Sequence, residues 1–156
     1  MTKDELAKHI ETNYGEQLTR FEKGKFDLWY EVEADKILEV CRKLHDDEAL
    51  KFDFLCNISG IDTGEQFQLV YNLASIVNSL RLDLITTLNR ENPEIESVQT
   101  IWPGANWHER EVWELFGINI KNHGNLKRFL LPDEWDQGYP MRKDWDAEDF
   151  IRLPEK

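Results

Sequence analysis

Cysteine is scarce in this sequence, and its two copies form no recognisable motif. Only Cys41 and Cys56 are present among 156 residues, and neither belongs to a Cys-x-x-Cys pair. Two cysteines so far apart supply neither a disulfide framework nor enough ligands for a zinc or iron–sulfur site. We therefore expect both to be small hydrophobic residues of the core.

Long apolar runs are missing as well. Apolar residues make up 40% of the chain, but they never form the stretch of about 20 residues that a membrane-spanning helix requires. Residues 1–5 become acidic at once and lack both the apolar region of a secretory signal and the arginines of a transit peptide. These features predict a soluble protein that is made in the cytosol and stays there.

Positive charge is deficient. The chain has 19 Lys and Arg residues against 31 Asp and Glu residues, which gives a formal net charge of -12. Such a charge repels the phosphate backbone of nucleic acids and the anionic surface of membranes.

The length of the chain fits one domain with a single hydrophobic core. We therefore expect one acidic domain without a nucleic-acid partner.

Catalytic motifs are also lacking. Residues 108–112 partly match the helix of zinc proteases, but that site needs a second His where this chain has Val112. Residues 60–65 lack the spacing and the lysine of a phosphate-binding loop, so a hairpin turn explains them better. Neither a nucleophile elbow nor a dinucleotide-binding glycine motif follows a predicted strand. We predict that this chain has no active site.

What the sequence does contain is the pattern of an α+β fold. Thr2 and Glu5 form a capping box, which predicts an amphipathic helix that ends near Tyr14-Gly15. Further along the chain, apolar residues recur either at helical spacing, which indicates a helix, or in alternation with polar residues, which indicates strands. The predicted elements are two strands at 18–21 and 26–32 around the turn Lys23-Gly24-Lys25, a helix over 34–45, and an antiparallel meander of strands at 52–58, 67–77 and 81–89.

The last third of the chain is divided by prolines and glycines. Asn92-Pro93 predicts a short helical segment toward Ile101. Asn106, with Glu109 three residues on, predicts the cap of a helix near 106–117 that Gly117 ends. Prolines break the periodicity after Ile120, so we predict an α+β core at residues 1–120 and an extended, irregular tail at 121–156.

The predicted tail has an unusual aromatic content. Trp135, Tyr139, Trp145 and Phe150 are scattered among charged residues and prolines. An irregular segment of this length needs a surface to lie on, and aromatic side chains commonly anchor interfaces. The tail is therefore predicted to bind a partner protein as a strap, and the alternative is that it folds back on its own domain.

The predicted helix at 106–117 carries four charged residues close together. Arg110 lies one turn before Glu114 and would keep that carboxylate ionised, so a salt-linked helix face explains the glutamates better than an acid–base pair. A lone histidine is seldom a ligand. We assign no metal to the histidines, which lie in unrelated elements: His9, His45, His108 and His123.

Residues 102–118, WPGANWHEREVWELFGI, resemble the signature helix of the 30 kDa subunit, also called the C subunit, of complex I-type NADH:quinone oxidoreductases. The tail resembles the second motif of this family in order and spacing. The resemblance implies a partner interface formed by the matching residues Glu109, Arg110, Glu111, Glu114, Phe116, Gly117, His123, Lys127, Arg128, Leu131, Pro132, Trp135, Gly138, Pro140, Arg142, Lys143 and Asp144.

The resemblance implies a non-catalytic subunit of the hydrophilic arm, peripheral on the cytoplasmic face of the cell membrane. It would pack mainly against the D subunit of the complex, near the quinone-reducing module, and also contact the B and I subunits. Arg110 would bridge the helix to a partner's carboxylate or carbonyl groups. The chain itself would bind no cofactor, whereas the whole complex would use FMN, iron–sulfur clusters, NADH and a quinone.

Two alternatives stay open. The chain is the equivalent subunit of a related membrane-bound hydrogenase or F420-dependent dehydrogenase, or it is a free-standing soluble enzyme. The lack of a catalytic motif argues against the second of these.

Overall fold

The computed structural model describes residues 1–21 and 28–147. Within these ranges the helices are α1 (Lys3–Tyr14), α2 (Ile37–Asp46), which a 3-10 turn at Ala34–Lys36 precedes, and α3 (Ala105–Phe116). The strands are β1 (Thr19–Phe21), β2 (Trp29–Glu31), β3 (Phe54–Asp62), β4 (Gln66–Ser75), β5 (Leu80–Asn89), β6 (Glu94–Glu96) and β7 (Asn119–Lys121). The predicted α+β class is confirmed. None of these helices is both long and apolar enough to span a bilayer.

Local sequence signals explain the first two helices. At the start of α1, the Thr2 hydroxyl accepts a hydrogen bond from the backbone N–H of Glu5 (3.3 Å). The Glu5 carboxylate in turn accepts one from the N–H of Thr2 (2.7 Å), which completes the predicted capping box. α2 forms where helical spacing predicted it. Its buried face consists of Ile37, Val40, Cys41 and Leu44.

The main sheet has the strand order β1-β2-β5-β4-β3. β3, β4 and β5 form the predicted antiparallel meander. β2, however, pairs with β5 in parallel, so the sheet is mixed rather than antiparallel throughout. Periodicity indicates which residues share a face of a strand, but not which distant strand is the neighbour. The predicted turn at 23–25 lies outside the described residues.

One face of the sheet packs against the helices. Alternate residues of β4 and β5 are buried in a single apolar cluster with residues from α1, α2 and α3. α3 lies along β3 because Gly60 has no side chain: a Cβ atom there would lie 2.7 Å from the ring of Phe116. Near the other end of β3, the Trp102 indole N–H donates to the Phe52 carbonyl (3.1 Å). These contacts fix α3 relative to the sheet.

The segment from Asn92 toward Ile101 was predicted to be helical, and this prediction is wrong. Residues 94–96 form β6 instead, which pairs in parallel with β7. Ile95 and Ile120, which are opposite each other in this pair, are both buried. The partner strand follows α3 in sequence, so no local pattern could show that the strand would prevail over the helix.

Only one of the two cysteines is a core residue, contrary to the expectation for both. Cys41 is buried on α2, whereas Cys56 is exposed on β3. The register between β3 and β4 shifts between Leu55 and Asn57, at the position of Cys56. Such a bulge interrupts the alternation of inward and outward side chains, so the pattern on either side misplaces the residue within it.

The close packing of α3 on β3 can be tested at Gly60. Gly60→Ala should lower the free energy of unfolding by about 1–3 kcal/mol, because the added methyl group overlaps the Phe116 ring. Chemical denaturation would measure this loss. The matched control is Gly104→Ala, where a Cβ atom has no heavy atom within 4 Å and should change stability by less than about 1 kcal/mol. Equal effects of the two substitutions would contradict this account of the packing.

Candidate functional site

α3 begins earlier than predicted and ends where predicted. Asn106 is not the cap: it lies inside the helix, and its side-chain amide donates to Gln99 (2.9 Å). The chain is already helical at Gly104 (φ -62, ψ -23), so capping by Asn106 is not needed. Gly117 ends the helix in the left-handed conformation (φ 71, ψ 30), which glycine adopts without strain.

α3 buries three charged side chains. Glu109, Arg110 and Glu114 are 1%, 7% and 3% exposed. Charged groups are seldom buried without partners, because removing an unpaired ion from water costs several kcal/mol. Glu111, in contrast, is exposed. The partners of the three buried groups define the site, and most of them lie in residues 123–144, which we call the covering segment.

Glu109 connects α3 to the residues that follow β6. One carboxylate oxygen accepts a hydrogen bond from the Ser97 hydroxyl (2.6 Å), and the other accepts one from the backbone N–H of Val98 (2.6 Å). Burial raises the pKa of the Glu109 carboxyl to about 7, although these two hydrogen bonds oppose the shift. The buried carboxyl is therefore protonated over much of the acidic range.

His123 begins the covering segment, and its side chain is fully buried. Its Nε2 lies 3.2 Å from the Asn106 carbonyl, and its Nδ1 accepts from the N–H of Asn125 (3.0 Å). A carbonyl can only accept, so Nε2 carries the proton and the ring is neutral. Burial lowers the pKa of His123, and the charge of Arg110 lowers it further. Nε2 is 3.7 Å from Glu109, and both pKa shifts favour an uncharged pair.

Arg110 holds the backbone of the covering segment. Its Nε donates to the carbonyl of Lys127 (2.7 Å) and its Nη2 to that of Arg128 (3.2 Å). The guanidinium also lies over the rings of Trp107 and Phe129, 4.7 and 4.8 Å from their centroids. From its sequence, Arg110 was predicted to reach a partner's carboxylate or carbonyl groups. In the structure, the carbonyl groups that it binds belong to the same chain.

Glu114 acts one turn further along α3. Its carboxylate accepts hydrogen bonds from three consecutive backbone N–H groups, those of Phe129, Leu130 and Leu131, at 3.1–3.4 Å. The predicted salt link to Arg110 is replaced by these contacts, since Arg110 donates to carbonyl groups. Hydrogen bonds to a charged acceptor are worth about 1.5–3 kcal/mol each in favourable cases, which offsets the burial of the carboxylate.

Arg142 attaches the covering segment to the C-terminal end of α3. Its Nε donates to the carbonyl of Phe116 (2.6 Å), and the N–H of Met141 donates to that of Leu115 (3.1 Å). Its guanidinium lies 4.5 Å from the centroid of the Tyr139 ring. A Cβ atom on Gly117 would lie 2.5 Å from that ring. Gly117 is therefore required both for its backbone conformation and for the close approach of Tyr139.

Asp62 and Arg90 form a further attachment that sequence analysis missed. Asp62, in the predicted hairpin turn between β3 and β4, is ion-paired with Arg90 and accepts from the backbone N–H of Lys143 (2.8 Å). Arg90 also donates to Asp144 (2.6 Å). Burial opposes ionisation of Asp62, but the hydrogen bonds from Arg90, Lys143 and Gly64 outweigh it and lower its pKa to about 2.

The remaining family-matched residues of the segment shape its outer turns. Gly138 has a φ of 80, and its carbonyl accepts from the Trp135 indole (2.7 Å). Lys127, Arg128 and Pro132 are exposed, while Leu131 and Pro140 are partly buried. The described part of the tail thus lies on its own domain, as in the second of the two expected arrangements. Whether the matched residues also contact a partner stays a prediction, and Phe150 lies outside the described residues.

The outer surface of the site carries several large apolar side chains. Its exposed large side chains are Trp107 of α3 together with Phe129, Leu130, Tyr139 and Met141 of the covering segment. Contiguous exposed apolar patches on a protein surface commonly mark an interaction site. In residues 1–21 and 28–147, no three His, Cys, Asp or Glu side chains come together as a metal site would require. The geometry suits the display of a surface to a partner.

Comparisons with known proteins agree on one family. The model of the family described as "Respiratory-chain NADH dehydrogenase, 30 Kd subunit" matches residues 30–150. The C subunit of the NADH-quinone oxidoreductase of Roseiflexus sp. (strain RS-1) is 41% identical over 121 residues, which are 76% of this chain and 69% of the relative. The C subunit of the F(420)H(2) dehydrogenase of Methanosarcina mazei is 44% identical over 118 residues, which are 74% and 73% of the two chains.

Two solved structures share the fold. A trypsin-resistant fragment of Nqo5 superposes with a TM-score of 0.67 at 27% identity and covers 78% of this chain and 98% of its own. A chain of a membrane-bound sulfane sulfur reductase, described as an archaeal respiratory membrane complex, gives a TM-score of 0.80 over 98% of this chain and 95% of its own. Its identity of 23% supports likeness of fold alone.

The buried carboxyl of Glu109 should make stability depend on pH. The pKa of Glu109 is 4.5 in the unfolded chain and about 7 in the folded protein. The contribution of this group to the free energy of unfolding is therefore complete below about pH 4.5 and is lost as the pH rises to about 7. Glu109→Gln cannot ionise and should escape this loss. The free energy of unfolding of the variant, relative to the wild type, should rise by on the order of 3 kcal/mol over that interval.

Denaturation of both proteins at several pH values would measure this difference. His123 is present in both proteins, so its contribution largely cancels when the two curves are compared. Parallel curves between pH 4.5 and 7 would contradict the raised pKa of Glu109.

Glu114 should control the local stability of the covering segment. Glu114→Ala removes the acceptor of three backbone N–H groups, so the amides of residues 129–131 should exchange with solvent at least about tenfold faster. Hydrogen exchange followed by mass spectrometry measures this rate. Glu111→Ala, an exposed glutamate on the same helix, is the control and should leave these amides unchanged. Unchanged exchange in the Glu114 variant would show that other contacts hold the segment.

Proposed function

Because the chain belongs to the family of the 30 kDa subunit of respiratory-chain NADH dehydrogenases, we propose that it is a non-catalytic subunit of the hydrophilic arm of an NADH:quinone oxidoreductase. In that complex it packs against the D subunit near the quinone-reducing module. Its role is to hold neighbouring subunits in place. The relatives named as the C subunit of NADH-quinone oxidoreductases support this placement in a multisubunit oxidoreductase.

The exposed apolar side chains of the covering segment, Phe129, Leu130, Tyr139 and Met141, are the observation that carries the proposal. Arg110 and Glu114 of α3 bind the backbone of this segment, and Arg142 of the segment binds the carbonyl of Phe116 at the end of α3, so the conformation of the segment is fixed before any partner arrives. A preformed surface loses little conformational entropy on binding. The exposed aromatic and aliphatic side chains are then available to a partner, which is the composition expected at the centre of an interface.

The family-matched residues have two roles in this proposal. Glu109, Arg110, Glu114 and Phe116 are buried and shape the site from within. Their partner contacts are indirect, through the segment that they hold. The exposed matched residues form the rim of the interface: Glu111, Lys127, Arg128, Pro132, Gly138, Lys143 and Asp144.

The proposal extends to partners, location and cofactors. The D subunit is the main partner, and the B and I subunits make further contacts. The complex lies at the cytoplasmic face of the cell membrane, and this chain is peripheral to it. FMN, iron–sulfur clusters, NADH and quinone are bound by other subunits, and this chain binds no cofactor.

A second candidate function has specific support. The F(420)H(2) dehydrogenase relative from Methanosarcina mazei is as similar to this chain as the NADH-quinone oxidoreductase relatives. The same scaffold would then serve a complex with a different electron donor. Purification of the native complex, followed by assays with NADH and with reduced F420, distinguishes the two candidates, because only the complex's own donor will be oxidised at a high rate.

The proposed interface can be tested with Leu130→Ser/Met141→Ser in a tagged full-length chain, expressed with the other subunits. Both side chains are exposed, so the melting temperature of the isolated chain should stay nearly constant. Recovery of the D subunit with the tagged chain should fall by about tenfold or more, because apolar anchors at an interface dominate its affinity. Quantitative mass spectrometry of the purified material gives the ratio.

The control for this experiment is Leu130→Met/Met141→Leu, which conserves apolar volume and should retain the D subunit. If the serine variant retains as much of the D subunit as the wild type, the interface lies elsewhere on the chain. If the wild type itself recovers no other subunit, the proposed function fails.

A further inference from the structure

The hairpin between β4 and β5 presents two large apolar side chains to solvent. Ile76 is 65% exposed and Val77 is 68% exposed. Both are β-branched, whereas tight turns usually contain Gly, Asn, Asp or Ser. Asn78 and Ser79 complete the turn, and Ser79 has the left-handed conformation (φ 53). The two apolar residues are not explained by turn geometry or by burial in the core.

The backbone of this hairpin is fixed to the rest of the domain. The N–H of Ile76 donates to the carboxylate of Asp53 (2.9 Å). The side-chain amide of Asn78 donates to the carbonyls of Ala49 (3.3 Å) and Leu50 (3.1 Å). The exposed side chains are therefore held on a rigid support. Such preorganisation lowers the entropic cost of binding.

A third apolar side chain and two cations border the turn. Ala74 of β4 is paired with Phe54 of β3 on one side and with Arg81 of β5 on the other. Phe54 is 50% exposed. Lys51 is two residues from Asp53, whose carboxylate binds the turn. Lys51 and Arg81 are exposed, and neither is held in an ion pair with another described residue. In a chain with a net charge of -12, this end places two exposed cations and the carboxylate of Asp53 beside its apolar side chains.

We propose that Phe54, Ile76 and Val77, which together we call the hairpin knob, insert into an apolar pocket rimmed by carboxylates on a neighbouring protein of the complex. This inference rests on the proposed function, since it requires the chain to be part of a complex. The knob lies at the start of β3, and the covering segment is attached to Asp62 at its end. The eight steps of strand from Phe54 to Asp62 separate the knob from the Lys143 end of the covering segment by about 26 Å. The knob is therefore a second, separate attachment point.

The size and chemistry of the knob favour a protein pocket over the other occupants. Three side chains cover only part of the roughly 800 Å² that each partner contributes to a standard interface, so the knob adds to the main interface and does not replace it. β-branched side chains have few rotamers to lose on burial. The carboxylate rim follows from Lys51 and Arg81, which would steer and orient such a partner.

A membrane surface and a second copy of this chain are less compatible with these features. Binding to anionic lipid through basic residues typically takes about four to eight Lys and Arg side chains, and the chain as a whole is strongly acidic. A two-fold dimer through the knob would bring the cations of one copy near those of the other, which costs energy.

The test is Ile76→Thr/Val77→Thr in the tagged full-length chain expressed with the other subunits. These substitutions keep the β-branched shape that the turn accommodates and add a hydroxyl in place of a methyl or ethyl group. We expect the melting temperature of the isolated chain to be unchanged and the yield of intact complex to fall by about tenfold in about 0.5 M salt, where electrostatic contacts are weakened. Ile76→Val/Val77→Ile, which preserves the apolar surface, should assemble like the wild type.

Charge reversal gives an independent readout. Lys51→Glu/Arg81→Glu should slow assembly at low salt and leave the yield near that of the wild type in high salt, because it alters steering more than contact. Intact assembly of the threonine variant overturns the proposal. The proposal is also overturned if phosphatidylglycerol-containing vesicles bind the wild-type chain but not the threonine variant. It is overturned as well if light scattering shows a dimer of the wild type that the variant does not form. If the wild-type chain recovers no other subunit, the proposed function itself fails. That result differs from a failure of the hairpin knob, in which the wild type and the threonine variant recover the complex equally well.

Discussion

Burial of ionisable side chains on α3 is the constraint on which the rest of the site depends. Glu109, Arg110 and Glu114 lie beneath the surface, and each can remain there only because hydrogen bonds, most of them from or to backbone groups, satisfy its polar atoms. For Arg110 and Glu114 these backbone groups belong to the covering segment, so the helix determines the path of a segment with no regular structure of its own. The loss of any one of the three would leave unpaired polar groups in the protein, which is costlier than the loss of a surface salt bridge.

Two glycines allow the layers of this arrangement to approach one another. Gly60 brings α3 against the sheet, and Gly117 brings Tyr139 against the end of α3. The sheet, the helix and the covering segment are thus stacked in order. Asp62 and Arg90 of the first layer bind Lys143 and Asp144 of the third. The outermost layer exposes Phe129, Leu130, Tyr139 and Met141, while several of its backbone groups bind inward to Arg110 and Glu114. This explains how an irregular segment can present a definite surface to another protein.

Features that depend on neighbours in sequence were predictable, and those that depend on distant partners were not. The capping box at Thr2, the meander and the end of α3 at Gly117 were predicted because their signals lie within a few residues. The pairing of β6 with β7, the parallel pairing of β2 and the role of Asp62 involve residues far along the chain. Arg110 shows both cases: the sequence indicated a guanidinium that binds carboxylate or carbonyl groups, but not that the chain itself supplies the carbonyl groups.

The parallel pairing of β2 with β5 has a consequence for the order in which the chain folds. The β3–β5 meander closes through short turns, whereas Trp29 meets Asp83 only after a loop of about fifty residues has closed. Local contacts form before those with a high entropic cost of closure, so the meander should be the first structured unit and the β1–β2 edge should join it later. Pulse-labelled hydrogen exchange would reveal this as early protection of β4 amides. A nascent chain would therefore expose β5 as an unpaired strand edge until its own N-terminal residues return to cover it.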